Sequence, residues 1–120
     1  MQLENTRILI TGGSSGLGKA MAEILRSAGA RVLILGRDSE KVNRVADEIG
    51  CWGLACDVSK ENQIHDVFAQ IDQTWGGLDV LVNNAGIGYF HPIESLAWAQ
   101  FEEIFHTNVF GAAIVGREAA

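Results

Sequence analysis

Short apolar runs alternate with apolar stripes at helical spacing along the whole chain. The runs at residues 8–10, 31–35, 52–56 and 78–82 predict strands, and their continuous apolar character is typical of strands that are covered on both faces. After each run, apolar side chains recur every three or four residues, which predicts an amphipathic helix. The chain is therefore expected to repeat a strand–helix unit four times.

The helical stripes identify the side chains that are expected to face the sheet. In the first helix these are Leu17, Ala20, Met21, Ile24, Leu25 and Ala28. The second helix is predicted over residues 39–49, and the third has Ser59 as its N-cap and ends at Gly76. A last helix is predicted over residues 96–117, after a loop at residues 85–92.

This order of elements predicts an α/β fold with one domain over residues 1–120. Connections between parallel strands are right-handed, so the predicted strand order is 3-2-1-4, with helices on both faces of the sheet. That arrangement is the first half of a Rossmann-like, doubly wound parallel sheet. Ligands in such sheets bind beyond the carboxyl ends of the strands, where Thr11, Arg37, Asp57 and Asn83 are expected to lie.

A glycine-rich stretch, T-G-G-S-S-G-L-G at residues 11–18, connects the first strand to the first helix. Glycines allow close backbone approach and positive φ angles, and the first-turn N–H groups of a helix carry partial positive charge without intrahelical partners. The junction therefore predicts a site for the pyrophosphate of a dinucleotide. The predicted cofactor contacts are Gly12, Ser14, Ser15, Gly16, Leu17 and Gly18. A glycine-rich turn that binds nothing is the alternative.

Arg37 follows the second strand, at the position that meets the adenosine ribose in doubly wound folds. An acidic side chain there binds the 2′-hydroxyl of NAD, whereas an arginine accommodates the 2′-phosphate of NADP. The guanidinium therefore favours NADP as the cofactor. Asp38 leaves NAD open, because a small shift of the loop would bring its carboxylate to the ribose. In a third interpretation Arg37 only pairs with Asp38 or Glu40 in solvent.

Two further polar motifs follow the later strands. Asp57 follows the third strand, and Asn83-Asn84-Ala85-Gly86 follows the fourth. Together with the T-G-x-x-x-G-x-G spacing after the first strand, these motifs resemble the short-chain dehydrogenase/reductase family, and the resemblance covers essentially the whole chain.

The resemblance implies a role for each of these residues. Asp57 and the backbone of Val58 would contact the adenine ring, and Asn83 would brace the central sheet. The residues near the nicotinamide ribose would be Asn84, Ala85 and Gly86. Without the resemblance, Asp57 is equally well a carboxylate beside a helix N-terminus, and the N-N-A-G block is a turn that ends a strand.

Asn108 lies on the apolar stripe of the last predicted helix, between Phe105 and Ala112. An amide on a packed face costs free energy unless its polar groups find partners. The family's catalytic set is asparagine, serine, tyrosine and lysine, so the resemblance implies that Asn108 is the catalytic asparagine, which holds a water in a proton relay. The alternative is an amide that bonds to backbone groups between packed helices.

The other members of that catalytic set have no match in the chain. The family's tyrosine and lysine are four residues apart, whereas Tyr89 is followed four residues later by Ile93. The lysines all precede the fourth strand, and no serine follows Ser95. We therefore expect a C-terminally incomplete chain, inactive alone, that is the cofactor-binding half of an NADP(H)-dependent oxidoreductase acting on a carbonyl or alcohol. A non-catalytic NADP-binding module and a protein-interaction module are the alternatives.

Composition and charge restrict the partners. The net charge of −6 without a basic cluster argues against nucleic acid and anionic membranes. The first residues lack the features of a signal peptide, and no apolar run approaches the length of a membrane span, so a cytoplasmic location is expected. Cys51 and Cys56 would point to opposite faces of a strand, which excludes a mutual disulfide. The cysteines and histidines show no metal-ligand spacing, so no metal site is predicted.

The predicted fourth strand and last helix also bear on assembly. The strand would be an open sheet edge, and the helix would expose Trp98, Phe101, Phe105 and Val109. The resemblance implies, in addition, that the last helix lies in a subunit interface. We therefore expect the protein to form a homo-oligomer.

Overall fold

A computed structural model describes residues 3–85 together with Ala99, Val115, Gly116 and Glu118. Within residues 3–85, strands and helices alternate as the apolar pattern predicts. They are β1 (Arg7–Thr11), α1 (Gly16–Ser27), β2 (Arg31–Gly36), α2 (Ser39–Ile49), β3 (Trp52–Ala55), α3 (Glu61–Trp75) and β4 (Val80–Val82). The four separate residues are themselves helical.

The strands form one sheet in the order β3-β2-β1-β4, and every pair is parallel, which confirms the predicted topology. The two inner strands are β2 and β1, and Ile10 of β1 lies opposite Ile34 of β2 and opposite Val82 of β4. Because all pairs are parallel, the carboxyl ends of the strands meet at one edge of the sheet. The loops that follow the strands therefore leave the sheet side by side.

Alternate side chains of the strands enter two cores, one on each face of the sheet. The first core lies under α1 and α2 and contains Ile8, Ile10, Val32, Ile34, Val42 and Val45. The second lies under α3 and contains Leu9, Leu33, Leu35, Ile64, Val67, Ile71 and Val115. Cys51 packs against the first core and Cys56 lies in the second, so the two free thiols lie on opposite faces, as predicted.

Helix α1 packs on the sheet through small residues rather than large ones. Its buried residues are Gly18 and Ala22, whereas Leu17 and Ile24 are 69% and 68% exposed. The prediction that Leu17 and Ile24 face the core is therefore wrong. Of the rest of the predicted stripe, Met21 and Leu25 pack at the edge of the first core, and Ala20 and Ala28 are exposed. Small side chains at the contact let the helix backbone lie close to the sheet.

The helix ends follow the sequence signals with one exception. Helix α2 has the predicted bounds, and α3 ends at Gly76, which has a left-handed φ of 73°. Ser59 is not the N-cap of α3, because its N–H and its hydroxyl both donate to the carboxylate of Asp57. The N-cap is Lys60, which makes no side-chain capping bond. A nearby carboxylate thus outcompetes the helix end for the serine.

Arg7 ties the amino edge of the sheet to α3. Its Nε and Nη2 donate to the two carboxylate oxygens of Asp79 at 3.0 and 2.9 Å, and its Nη1 donates to the carbonyl of Trp75 at 3.0 Å. These bonds to Arg7 lower the pKa of Asp79 to about 2. A guanidinium bound to both carboxylate oxygens holds β1 beside the start of β4.

We expect Asp79→Asn to lower the free energy of unfolding at neutral pH, and this difference to shrink as the pH falls from about 4 to about 2. The pKa of Asp79 falls on folding from 3.8 to about 2, so its contribution is complete above the unfolded value and is lost as the pH falls through the folded value. Urea unfolding of both proteins across this pH range measures the difference.

Asp47→Asn is the matched control, because Asp47 is an exposed residue of α2 that forms no ion pair within the described part of the chain. A destabilisation by Asp79→Asn that stays constant from neutral to acid pH would contradict the assignment.

Candidate functional site

A cavity of about 230 Å³ lies at the carboxyl edge of the sheet. Residues that follow each of the four strands contribute to its lining. The predicted cofactor contacts that line it are Gly12, Ser14, Ser15, Arg37, Val58 and Ala85. The topology therefore brings together residues that are distant in sequence, at the place where doubly wound sheets bind their ligands.

The glycine-rich loop leaves N–H donors at the N-terminus of α1 that nothing in the described part of the chain pairs. Gly12 and Gly16 have φ angles of 65° and 57°, a region that favours glycine. Ser15 is the N-cap of α1, yet its side chain makes no capping bond, and the first turn contains no acidic residue. The N–H groups of Ser15, Gly16 and Leu17 have no hydrogen-bond partner among the described residues. This helix end therefore offers free donors and the positive end of its dipole to an anion.

Gly18 allows the start of α1 to contact the loops after β1 and β4. A Cβ atom on Gly18 would overlap the carbonyl oxygen of Gly12 and would lie 2.7 Å from Asn84 Nδ2. Asn84 Nδ2 donates to that same carbonyl at 3.3 Å. A side chain at position 18 would push these two loops apart, so the role of Gly18 is steric.

The hydroxyl of Thr11 joins the end of β1 to the loop after β4. Thr11 is fully buried, and its Oγ1 accepts from the backbone N–H groups of Asn84 and Ala85 at 2.8 and 2.9 Å. The same Oγ1 lies 3.5 Å from the carbonyl of Val82 and 3.4 Å from Asn83 Oδ1, the acceptors to which it can donate. Sequence reasoning missed this role. The available signal was a threonine directly after the apolar run at residues 8–10.

Arg37 and Lys41 are two basic residues that line the same cavity. The side chain of Arg37 is 52% exposed, and its Nε lies 4.0 Å from Asp57 Oδ2. Lys41 lies in the first turn of α2, four residues after Arg37. Sequence reasoning missed Lys41, although a lysine one helical turn beyond a basic residue at this strand end could have identified it.

Asp38 also lines the cavity, but its carboxylate caps α2. Asp38 Oδ1 accepts from the N–H groups of Glu40 and Lys41 at 3.0 and 3.3 Å. A shift of the loop that moved this carboxylate elsewhere would break the cap, which costs typically about 1 kcal/mol. The structure therefore gives Asp38 a structural task that competes with binding a ribose.

Asp57 lies between Cys56 and Val58, which both line the cavity. Asp57 Oδ1 accepts from the N–H and the hydroxyl of Ser59 at 3.0 and 2.7 Å. Burial raises the pKa of Asp57, but the bonds from Ser59 and the positive charges of Arg37 and a neighbouring lysine lower it below its ordinary value. The carboxylate is therefore charged at neutral pH and acts only as an acceptor.

Gly86 and Asn108 lie outside the described residues. Burial raises the pKa of the Cys56 thiol to about 11, so a neutral thiol lines the cavity at pH 7. Among the residues that the structure describes, no group of acidic, histidine or cysteine side chains could hold a metal ion. No helix in this part of the chain has the length and apolar character that a membrane span requires.

Comparison with known proteins gives consistent matches. A family model described as "short chain dehydrogenase" matches residues 6–120. The sorbitol dehydrogenase of Cereibacter sphaeroides is 34% identical over 122 aligned residues, which cover 100% of this chain and 48% of that protein. The chain thus spans about half the length of the curated relatives it matches.

Two solved structures extend the match to the fold. The 3-ketoacyl-(acyl-carrier-protein) reductase from Brucella melitensis, complexed with NADH, has a TM-score of 0.92 and 38% identity, covering 97% of this chain and 49% of that one. A short-chain type dehydrogenase/reductase from Mycobacterium marinum has a TM-score of 0.89 and 36% identity, covering 98% of this chain and 50% of that one.

We expect Thr11→Val to lower the free energy of unfolding by about 1–3 kcal/mol, because the N–H groups of Asn84 and Ala85 would lose their acceptor while the side-chain shape is kept. Thr11→Ser keeps the hydroxyl and should cost less. Denaturant unfolding measures both, and Thr74→Val, at an exposed position of α3, is the control. Equal stabilities of the Thr11 and Thr74 valine variants would contradict this role of the hydroxyl.

Proposed function

Because the chain belongs to the short-chain dehydrogenase/reductase family, we propose that it is the nucleotide-binding half of an NADP(H)-dependent oxidoreductase. The complete protein would transfer a hydride between the nicotinamide and a small carbonyl or alcohol substrate. The observation that carries the proposal is the cavity at the carboxyl edge of the sheet. Two basic residues, Arg37 and Lys41, line it together with Ser15, the N-cap of α1. Relatives named as dehydrogenases and reductases support an enzyme over a non-catalytic or interaction module.

The pyrophosphate of the cofactor would bind at the start of α1. The N–H groups of Ser15, Gly16 and Leu17 have no partner in the described chain, and the first turn carries no competing carboxylate. Donors that are fixed by a helix bind an anion without first losing conformational freedom. Gly12 has a positive φ, and a Cβ atom on Gly18 would overlap the carbonyl oxygen of Gly12. Glycines at these two positions would therefore let the loop backbone approach the ligand closely.

The 2′-phosphate of NADP would bind between Arg37 and Lys41. Both line the cavity, one at the end of β2 and the other in the first turn of α2. Asp38, the residue that would favour NAD, caps α2 with its carboxylate. The NADH in the Brucella relative keeps NAD as the second candidate, and the two cofactors differ only at this phosphate.

The other predicted residues would complete the cofactor contacts. The carboxylate of Asp57 and the backbone of Val58 would bind the adenine, and the nicotinamide ribose would contact Asn84, Ala85 and Gly86. Asn108 would hold a water in the proton relay of the complete enzyme. The bound dinucleotide supplies or accepts the hydride, and this chain binds and orients it.

A homo-oligomer is part of the proposal. Leu17 and Ile24 are large apolar side chains exposed on α1, and β4 is an edge strand within the described sheet whose residues are all partly exposed. Exposed apolar residues and an open edge favour association with another chain.

The first test of the proposal is cofactor selectivity. We expect the chain to bind NADPH more tightly than NADH, and Arg37→Ala to remove most of a roughly 10- to 100-fold difference, because an arginine–phosphate bond is charge-assisted. Lys41→Ala should remove a smaller part. Titration of intrinsic fluorescence or calorimetry gives the dissociation constants.

Arg44→Ala is the matched control for this test, because Arg44 is an exposed arginine of α2 that does not line the cavity. Equal dissociation constants of the unmutated chain for the two cofactors would overturn the assignment of NADP.

The second test is turnover. We expect no steady-state carbonyl reduction by the purified 120-residue chain, since its sequence contains no Tyr-x-x-x-Lys pair and general acid–base catalysis contributes about 10²–10⁴-fold to the rate. Oxidation of NADPH in the presence of simple ketones and aldehydes is the assay. Turnover that Gly16→Trp abolishes would show that another residue of this chain delivers the proton.

A further inference from the structure

Gln63 holds the backbone of the residue assigned to adenine binding. It lies in the first turn of α3, and its Oε1 accepts from the N–H of Asp57 at 2.8 Å. Ser59 occupies Asp57 Oδ1, and the N–H of Lys60 donates to the Asp57 carbonyl at 2.9 Å. Gln63, Ser59 and Lys60 therefore bind the N–H, one carboxylate oxygen and the carbonyl of Asp57, respectively.

The N–H of Asp57 needs such a partner because β3 is an edge strand of the described sheet. The N–H of Cys56 makes a hydrogen bond to β2, at 2.8 Å from the carbonyl of Gly36. Successive N–H groups of a strand point in opposite directions, so the N–H of Asp57 points away from the sheet. Gln63 supplies the acceptor that a neighbouring strand would otherwise provide, and so fixes the orientation of the peptide between Cys56 and Asp57.

After these bonds, one acceptor and one donor of residues 57–58 have no hydrogen bond within the described part of the chain. The acceptor is Asp57 Oδ2, which lies 4.0 Å from Arg37 Nε. The donor is the N–H of Val58, which has no hydrogen-bond partner among the described residues. An acceptor next to a donor is complementary to the amino group and ring nitrogen on one edge of adenine. Hypoxanthine presents an oxygen and an N–H there instead, which is the opposite pattern.

We propose that Gln63 is a positioning residue that sets the selectivity of this cavity for an aminopurine over an oxopurine. It would act by fixing the peptide of Asp57, between Cys56 and Val58 that line the cavity, so that the Val58 N–H and the carboxylate oxygen paired with Arg37 can meet the base together. The inference rests on the proposed function, because it assumes that the adenine of a dinucleotide binds at this edge. Gln63 itself does not line the cavity.

The test compares NADPH with its hypoxanthine analogue in the full 120-residue chain. We expect the chain to prefer NADPH by roughly tenfold, since the analogue leaves the donor and the acceptor unpaired. Gln63→Ala should reduce this ratio to about threefold or less. It should leave the affinity for NADPH itself within a few-fold, because the phosphate contacts remain.

Two conservative variants separate positioning from a general structural effect. Gln63→Glu keeps an acceptor oxygen at the same reach and should preserve the ratio, whereas Gln63→Asn is one methylene shorter and should lose it. Gln70→Ala, an exposed glutamine on the same helix, is the control and should leave the ratio unchanged. Hydrogen exchange at the Asp57 amide should become faster in the alanine and asparagine variants only, and this readout needs no cofactor.

The outcomes distinguish this inference from the proposed function. An unmutated chain that binds neither NADPH nor the analogue overturns both. A chain that binds both equally well, or an unchanged ratio in Gln63→Ala and Gln63→Asn, overturns the inference alone. If Gln63→Ala does not fold, the glutamate and asparagine variants still decide the matter, because equal ratios in those two would refute a role for the reach of the acceptor.

Discussion

The parallel pairing of β1 with β2 on one side and β4 on the other is the constraint on which the site depends. It places the ends of three strands next to one another, so Thr11 lies beside the start of the loop after β4. The Thr11 hydroxyl then accepts from the N–H groups of Asn84 and Ala85, more than seventy residues away in sequence. A buried hydroxyl with two backbone donors fixes that loop relative to the glycine-rich loop, and both border the same cavity.

The two edges of the sheet use polar groups in opposite ways. At the amino edge, Arg7 and Asp79 satisfy each other and the carbonyl of Trp75, which stabilises the packing of α3 and β4. At the carboxyl edge, the N–H groups at the start of α1 have no partner within the described chain. One oxygen of the Asp57 carboxylate makes no hydrogen bond there and has only the charge of Arg37 nearby, with Nε 4.0 Å away. Unpaired polar groups lower the stability of the folded chain, and a ligand that pairs with them recovers that free energy on binding. Their concentration at one edge of the sheet is therefore typical of a ligand-binding site.

Much of the fold follows from the sequence, and the differences have physical causes. The bounds of α2 agree with prediction because Asp38 and Gly50 are strong signals for its two ends. The contact face of α1 is predicted only in part, because Gly18 and Ala22 pack by close approach, which a hydrophobic pattern does not reveal. In the site, spacing predicts the glycine-rich loop and the place of Arg37 beside the cavity, whereas the role of Asp57 rests on the family resemblance. The contacts of Gln63 and of the Thr11 hydroxyl could not be predicted, because they depend on where each side chain lies against a neighbouring loop in the folded chain.

The hydrogen bonds from the Arg7 guanidinium to Asp79 and to the Trp75 carbonyl also have a consequence for folding during synthesis. As the polypeptide leaves the ribosome, β1 can pair with β2 early, but its other edge has no neighbour until β4 has been made. During that interval an apolar strand edge is exposed to other nascent chains. The guanidinium of Arg7, at the start of this strand, keeps a charge at the open edge until Asp79 arrives, and so disfavours premature pairing there.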